Sequence, residues 1–129
     1  MSATQEAVRA ITMTPTTAAL PKNRFVKVTT GGEVVLAGNT EDAIGVSLTP
    51  TDASVQEPIA VGLLDGAKLR VEAGAGITVG ARVMSNASGK AITAVGATAR
   101  VLGWALETAG GDGEIITILG QKAAGEFVS

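Results

Sequence analysis

The chain has 129 residues, twelve acidic against ten basic side chains, and a formal net charge of −2. It contains no Cys and no His, which removes a disulfide scaffold, a thiolate metal site, and the commonest general base and transition-metal ligand. No two Lys or Arg residues are adjacent, so the sequence carries no basic run that would track a phosphate backbone. The aromatics are Phe25, Trp104 and Phe127 alone, too few to build stacking platforms for bases or sugars. No apolar run approaches the ~20 residues that span a bilayer. The opening "MSATQEAVRAITM" lacks the basic and apolar regions of a secretory signal. A soluble protein made in a cytoplasm is expected, with one domain and a modest core.

Residues 1–23 are rich in Ala and Thr and interrupted by Pro15 and Pro21. Each proline biases the residue before it toward extended geometry, so the segment is read as an extended N-terminal arm. The same composition suits a frayed terminus or an arm that orders on a partner. From Arg24 the pattern changes to short apolar runs separated by turn residues. "RFVKVTT" stops at Gly31-Gly32, "EVVLAG" at Gly38, "AIGVSLT" at Pro50 and "EPIAVGLL" at Asp65-Gly66. "AKLRVEAG", "ITVGARVMS", "KAITAV", "RVLGWALE" and "GEIITILG" follow. In "AKLRVEA", Leu69 and Val71 point to one side while Lys68, Arg70 and Glu72 point to the other, the period of two of a half-buried strand. Turn signals at such short intervals predict an all-β sandwich or barrel. The β-domain is placed at 24–120 and a short C-terminal tail at 121–129.

The chain also repeats itself. At an offset of fifty-eight, Gly31 meets Gly89, Val34 meets Ile92, Gly38 meets Gly96, Ile44 meets Leu102, Gly45 meets Gly103 and Leu48 meets Leu106. A two-residue deletion then sets "PIAVGLL" against "EIITILG". The shared positions are turn glycines and core-type aliphatics, while polar positions drift: Glu41 faces Ala99 and Asp42 faces Arg100. Structure demands the first kind of position; a duplicated catalytic unit would keep reactive polar groups. The expected fold is therefore a small β-barrel or sandwich of two similar β-units, 24–64 and 82–119, with 65–81 as a linking hairpin.

No motif carries chemistry. "GAGITVG" lacks the Lys-Ser/Thr of a phosphate loop and the helix that follows a dinucleotide fingerprint. "NTED" and "GGDG" lack the alternating acidic ligands of an EF-hand loop. A carboxylate pair could hydrolyse a glycoside if held at the right separation, but nothing in the sequence sets one. No catalytic, metal or cofactor residue is assigned, and no small-molecule substrate. Trp104 replaces Val46 of the other copy. It reads either as a core or edge aromatic or as an anchor in a subunit contact, since Trp is enriched at interface hot spots. Gly62 and Gly103 interrupt strands, where a bulge or a close backbone approach is expected.

"RFVKVTTGGEVVLAGNTEDAIGVSL", "GAKLRVEAGAGITVGARVMSNASGKAITA" and "VLGWALETAGGDGEIITIL" together resemble the capsid decoration, or cement, proteins of tailed bacteriophages. The resemblance runs from about Arg24 to Leu119. It implies a structural virion protein on the outer surface of an expanded head, made in the host cytoplasm. It further implies a homotrimer that bridges subunits of the major capsid protein, with no enzymatic activity and no nucleic-acid or membrane partner. It implies an arm reaching across the capsid, for which Ala7, Val8, Ile11, Met13, Pro15, Leu20 and Pro21 are the candidate contacts. The alternative is a tail- or fibre-associated β-module binding a host glycan, against which the scarcity of aromatics counts. A small hydrolase with an unrecognised carboxylate pair is a more distant reading.

Overall fold

Short alternating runs between glycine-marked turns can bury one side only by pairing with one another, and they do so in the computed structural model. It describes residues 10–15, 20–39, 41–48, 59–95 and 100–121. Ten strands and no helix occur among the described residues. They are β1 (Ala10–Met13), β2 (Phe25–Val28), β3 (Val34–Leu36), β4 (Gly45–Ser47), β5 (Ile59–Leu63), β6 (Asp65–Glu72), β7 (Arg82–Ser85), β8 (Ala91–Thr93), β9 (Gly103–Ala105) and β10 (Ile115–Gln121). One five-stranded sheet has the order β1-β5-β4-β2-β3 and the other β6-β10-β9-β7-β8. All the strand pairs are antiparallel.

The two orders are the same order. The first five strands build one unit and the last five build a second unit of identical topology, so the expectation of two similar β-units holds. Neither sheet closes on itself, and the sandwich, not the barrel, is the arrangement adopted. β1 lies within the segment read as an arm, and pairs with β5 from Ala10↔Gly62 to Met13↔Ile59. β6 lies within the segment read as a linking hairpin, and pairs with β10 from Ile115↔Glu72 onward. The two strands therefore occupy equivalent edges. Parallel bridges Pro15↔Val34 and Ala73↔Ala91 show that the chain leaves those edges by the same route in both units.

Register corrects the sequence alignment by one residue. Val26 pairs with Leu36 and Gly45, and Val83 pairs with Thr93 and Gly103. The offset is thus 57 through the first two of these strands and 58 at the third. The connection from β8 to β9 is one residue longer than that from β3 to β4, and it absorbs the difference. Gly32 therefore matches Gly89, and both have positive φ, 80° and 75°. "ITVGARVMS" is likewise not one strand. Gly80 turns there with φ 89°, which leaves Ile77 in an isolated bridge to Ala109 and starts β7 at Arg82.

The units stack with one shared core. Phe25, Val46 and Leu64 of the first unit pack with Leu69, Val71, Val83, Leu102, Ile116 and Ile118 of the second. Gly62 lets the sheets approach: a Cβ there would lie 2.7 Å from Leu69 Cδ2. A second, smaller cluster covers the other face of the first sheet. It holds Leu20, Val26, Val34, Ile59 and Val61, with Met13, Leu36 and Ile44 against them.

Hydrogen bonds lock the seam. The Phe25 N–H donates to the Gly89 carbonyl at 2.7 Å, and the Glu72 N–H to the Asn23 carbonyl at 2.8 Å. Glu72 accepts from Arg24 Nε and Nη2 at 3.3 and 3.2 Å and pairs with Lys90 Nζ at 3.2 Å. Lys90 also reaches Asp112 at 2.9 Å; the hydrogen bonds its ammonium donates to Asp112 and then to Glu72 raise its pKa above the ordinary lysine value. Ser47 is fully buried. Its hydroxyl donates to the Pro21 carbonyl at 2.7 Å and accepts the Arg24 N–H at 3.2 Å. Ser47→Ala strips both partners, and about 1–3 kcal/mol of stability should be lost. A urea unfolding midpoint unchanged from that of the wild type would refute this role.

Candidate interaction surface

Directly opposed residues of an antiparallel sheet share a face, so register defines the two faces of each unit. In the first unit one row reads Ala10, Gly62, Val46, Phe25 across four strands. The equivalent row of the second reads Lys68, Leu119, Trp104, Arg82. Phe25 and Val46 are fully buried, packed on the second unit. Trp104 is 41% exposed, and Lys68 and Arg82 are exposed. The row that serves as core in the first unit is surface in the second. Because the units stack head to tail, only one copy of this face is covered.

The exposed row sets charge beside its aromatic side chain. Arg82 Cζ lies 5.8 Å from the Trp104 ring centroid, within cation–π range. Leu119 lies beside Trp104 and is half-buried. One step along the strands, Arg70 opposes Thr117, and the Leu106 N–H donates to the Thr117 carbonyl at 2.9 Å. Leu106 is 41% exposed. Ile115 shares this side by alternation and is also exposed. Glu107 accepts the Thr117 N–H at 2.6 Å; that backbone bond, then the Thr117 side chain, with a smaller contribution from the charge of Arg70, holds its carboxyl below the usual range. The result is a sheet face of apolar side chains interleaved with Lys68, Arg70 and Arg82. Trp and Arg are residue types enriched at protein interfaces, and Trp104 and Arg82 stand side by side on this open face. Among the described residues, no three acidic groups converge to hold a metal ion.

The candidate residues from the sequence divide. Ala7 and Val8 lie outside the described residues. Ile11 on β1 is exposed, and Met13 packs partly against the smaller cluster. Pro15 is buried at its bridge to Val34, Leu20 is buried in the smaller cluster, and Pro21 is half-buried with its carbonyl on Ser47. Of the arm set, Ile11 is thus the described side chain most open to a partner. Trp104 lies in none of the buried clusters. Its neighbours Arg82 and Leu119 carry no motif of their own; only the register across β7, β9 and β10 brings them to it.

A family of phage cement proteins matches the chain over residues 4–120. No curated protein matches it. Among solved structures, the crystal structure of the N base of head fiber gp8.5 in bacteriophage phi29 is similar, with a TM-score of 0.71 and 19% sequence identity. The match covers 94% of this chain and 99% of that one. At that identity the likeness speaks to the fold.

Proposed function

The chain belongs to the phage cement protein family, which makes it a phage structural protein, and from that membership we propose that it binds the outer surface of an expanded head and bridges neighbouring major capsid subunits. The family match over nearly the whole β-domain is the observation that carries this reading. The fold supports it. A stack of two small sheets with a shared core presents open sheet surface to a partner. The absence of Cys and His from the sequence and the lack of any reactive polar cluster in the repeat fit a protein that works by contact and performs no catalysis. We further propose a homotrimer, because several weak contacts on one assembly raise avidity through effective concentration.

The arm remains part of the proposal, with narrower bounds. β1 and Leu20 are built into the first unit, so removal of residues 1–22 would damage the fold itself. Removing residues 1–9 takes away Ala7 and Val8 while sparing both. The decisive experiment is co-sedimentation with purified, expanded heads that lack this protein, read by cryo-electron microscopy. Density at regular lattice positions is the expected result. Its absence across a range of salt and temperature would remove the reading.

A further inference from the structure

We propose that the outer face of the second sheet, centred on Trp104 and Arg82, is the surface that seats this protein on the shell, and that it meets an acidic patch there. The inference rests on the shell-binding reading above and names the contact within it. A head-to-tail stack has two unlike ends. At the first, the outer side of the sheet carries its own closed cluster around Leu20, Val26 and Val61. At the second, the side equivalent to the buried row of Phe25 and Val46 lies open.

The side chains at the open end are charged or bulkier where their buried equivalents are apolar or small. Arg82 stands in the place of Phe25, Trp104 in that of Val46, and Leu119 in that of Gly62. Gly62 is small enough for another sheet to close down on it, whereas Leu119 and Trp104 would hold such a sheet away. The face therefore does not repeat the internal contact with a further unit of the same kind. It presents an aromatic anchor flanked by guanidinium groups, and Trp and Arg are the residues most enriched at binding hot spots. Of the two nearby carboxylates, Glu72 is paired with Arg24 and Lys90, while Glu107 accepts the Thr117 N–H and keeps its charge. Against that one carboxylate stand Arg70 and Arg82, which leave the face basic on a chain of net charge −2. Charge complementarity selects an acidic partner and disfavours the same face of a second copy, which would set arginine against arginine.

The test compares full-length variants in the head co-sedimentation assay: Trp104→Ala, the double variant Arg70→Glu/Arg82→Glu, and Val28→Ser on the exposed side of the other end as a control. Thermal melts and solution mass accompany each. Trp104→Ala should weaken binding by about tenfold or more, and the double charge reversal by about a hundredfold. Val28→Ser should bind as wild type, and affinity of the wild type should fall with added salt. Wild-type binding with both face variants binding equally well would overturn the proposal and leave the cement reading intact. A face variant whose solution mass drops would overturn it in favour of a contact between copies. Failure of the wild type itself to bind would overturn the cement reading and this proposal together.

Discussion

Phe25→Ala is expected to cost about 3–5 kcal/mol, the usual range for deleting a fully buried aromatic side chain. Phe25 is the largest fully buried side chain among the described residues. It stands on β2 of the first sheet yet belongs to the cluster that reaches across to Val71, Val83 and Ile116. Its backbone is fixed as well: its N–H donates to Gly89 across the seam and its carbonyl accepts the Ala37 N–H at 2.9 Å. The backbone would hold its place while the ring vanished, so the cavity would close poorly. Small domains have only about 5–15 kcal/mol in total, so the variant should unfold at a much lower urea concentration. The shared core predicts a single transition with an unchanged m-value. Two separated transitions would mean that the units do not fold as one. Trp104→Ala, in the equivalent row of the second unit, supplies the contrast. Away from packed features a surface substitution shifts stability by about 0.5 kcal/mol or less, and a loss as large as that of Phe25→Ala would contradict the exposed placement of Trp104.

Gly45→Ala and Gly103→Ala form the second large effect, and the two should match. The glycines hold equivalent places at the start of β4 and β9. A Cβ on Gly45 would strike the carbonyl oxygen of Gly62, and one on Gly103 the carbonyl oxygen of Leu119. Both obstacles are backbone of the neighbouring strand, which cannot rotate away as a side-chain tip can. Overpacking typically costs 1–3 kcal/mol and sometimes more, and a backbone clash belongs at or above the top of that range, about 3 kcal/mol. Gly76→Ala is the control. Its nearest contacts would be 3.7 and 3.8 Å away, so it should be close to neutral. If Gly45→Ala melts like the wild type, the strand spacing described here is wrong.

Gly103 was legible before any coordinates as a bulge or close approach, because a backbone that must approach another backbone tolerates nothing else, and Gly45 only as its match in the repeat. The aliphatic alternation of "AKLRVEA" was legible for a similar reason, since a face is either covered or wet. β1 was not legible as a strand. Its four residues, "AITM", are exposed or only partly buried, so no alternation marks them, and they are strand because β5 offers an edge. The place of Trp104 was not legible either. Its equivalent, Val46, is fully buried, and both sit in similar local sequence. What separates them is the order in which two like units stack, a fact about the whole molecule that no window of sequence contains. The one-residue shift between the copies was hidden because glycine- and alanine-rich strands align almost as well one step out of phase, although such a step exchanges the two faces.

Stacking in series, in place of pairing about a two-fold axis, also has a consequence for how the halves can diverge. Two copies facing each other symmetrically would hold both versions of the Phe25 row to the same packing requirement. In the arrangement adopted here one version keeps that duty and the other is released from it. Duplication thus gave the molecule a spare surface with a ready-made scaffold beneath it, on which large and charged side chains could accumulate at no expense to the core. The likeness of the two units and the difference between the two ends of the molecule have the same origin.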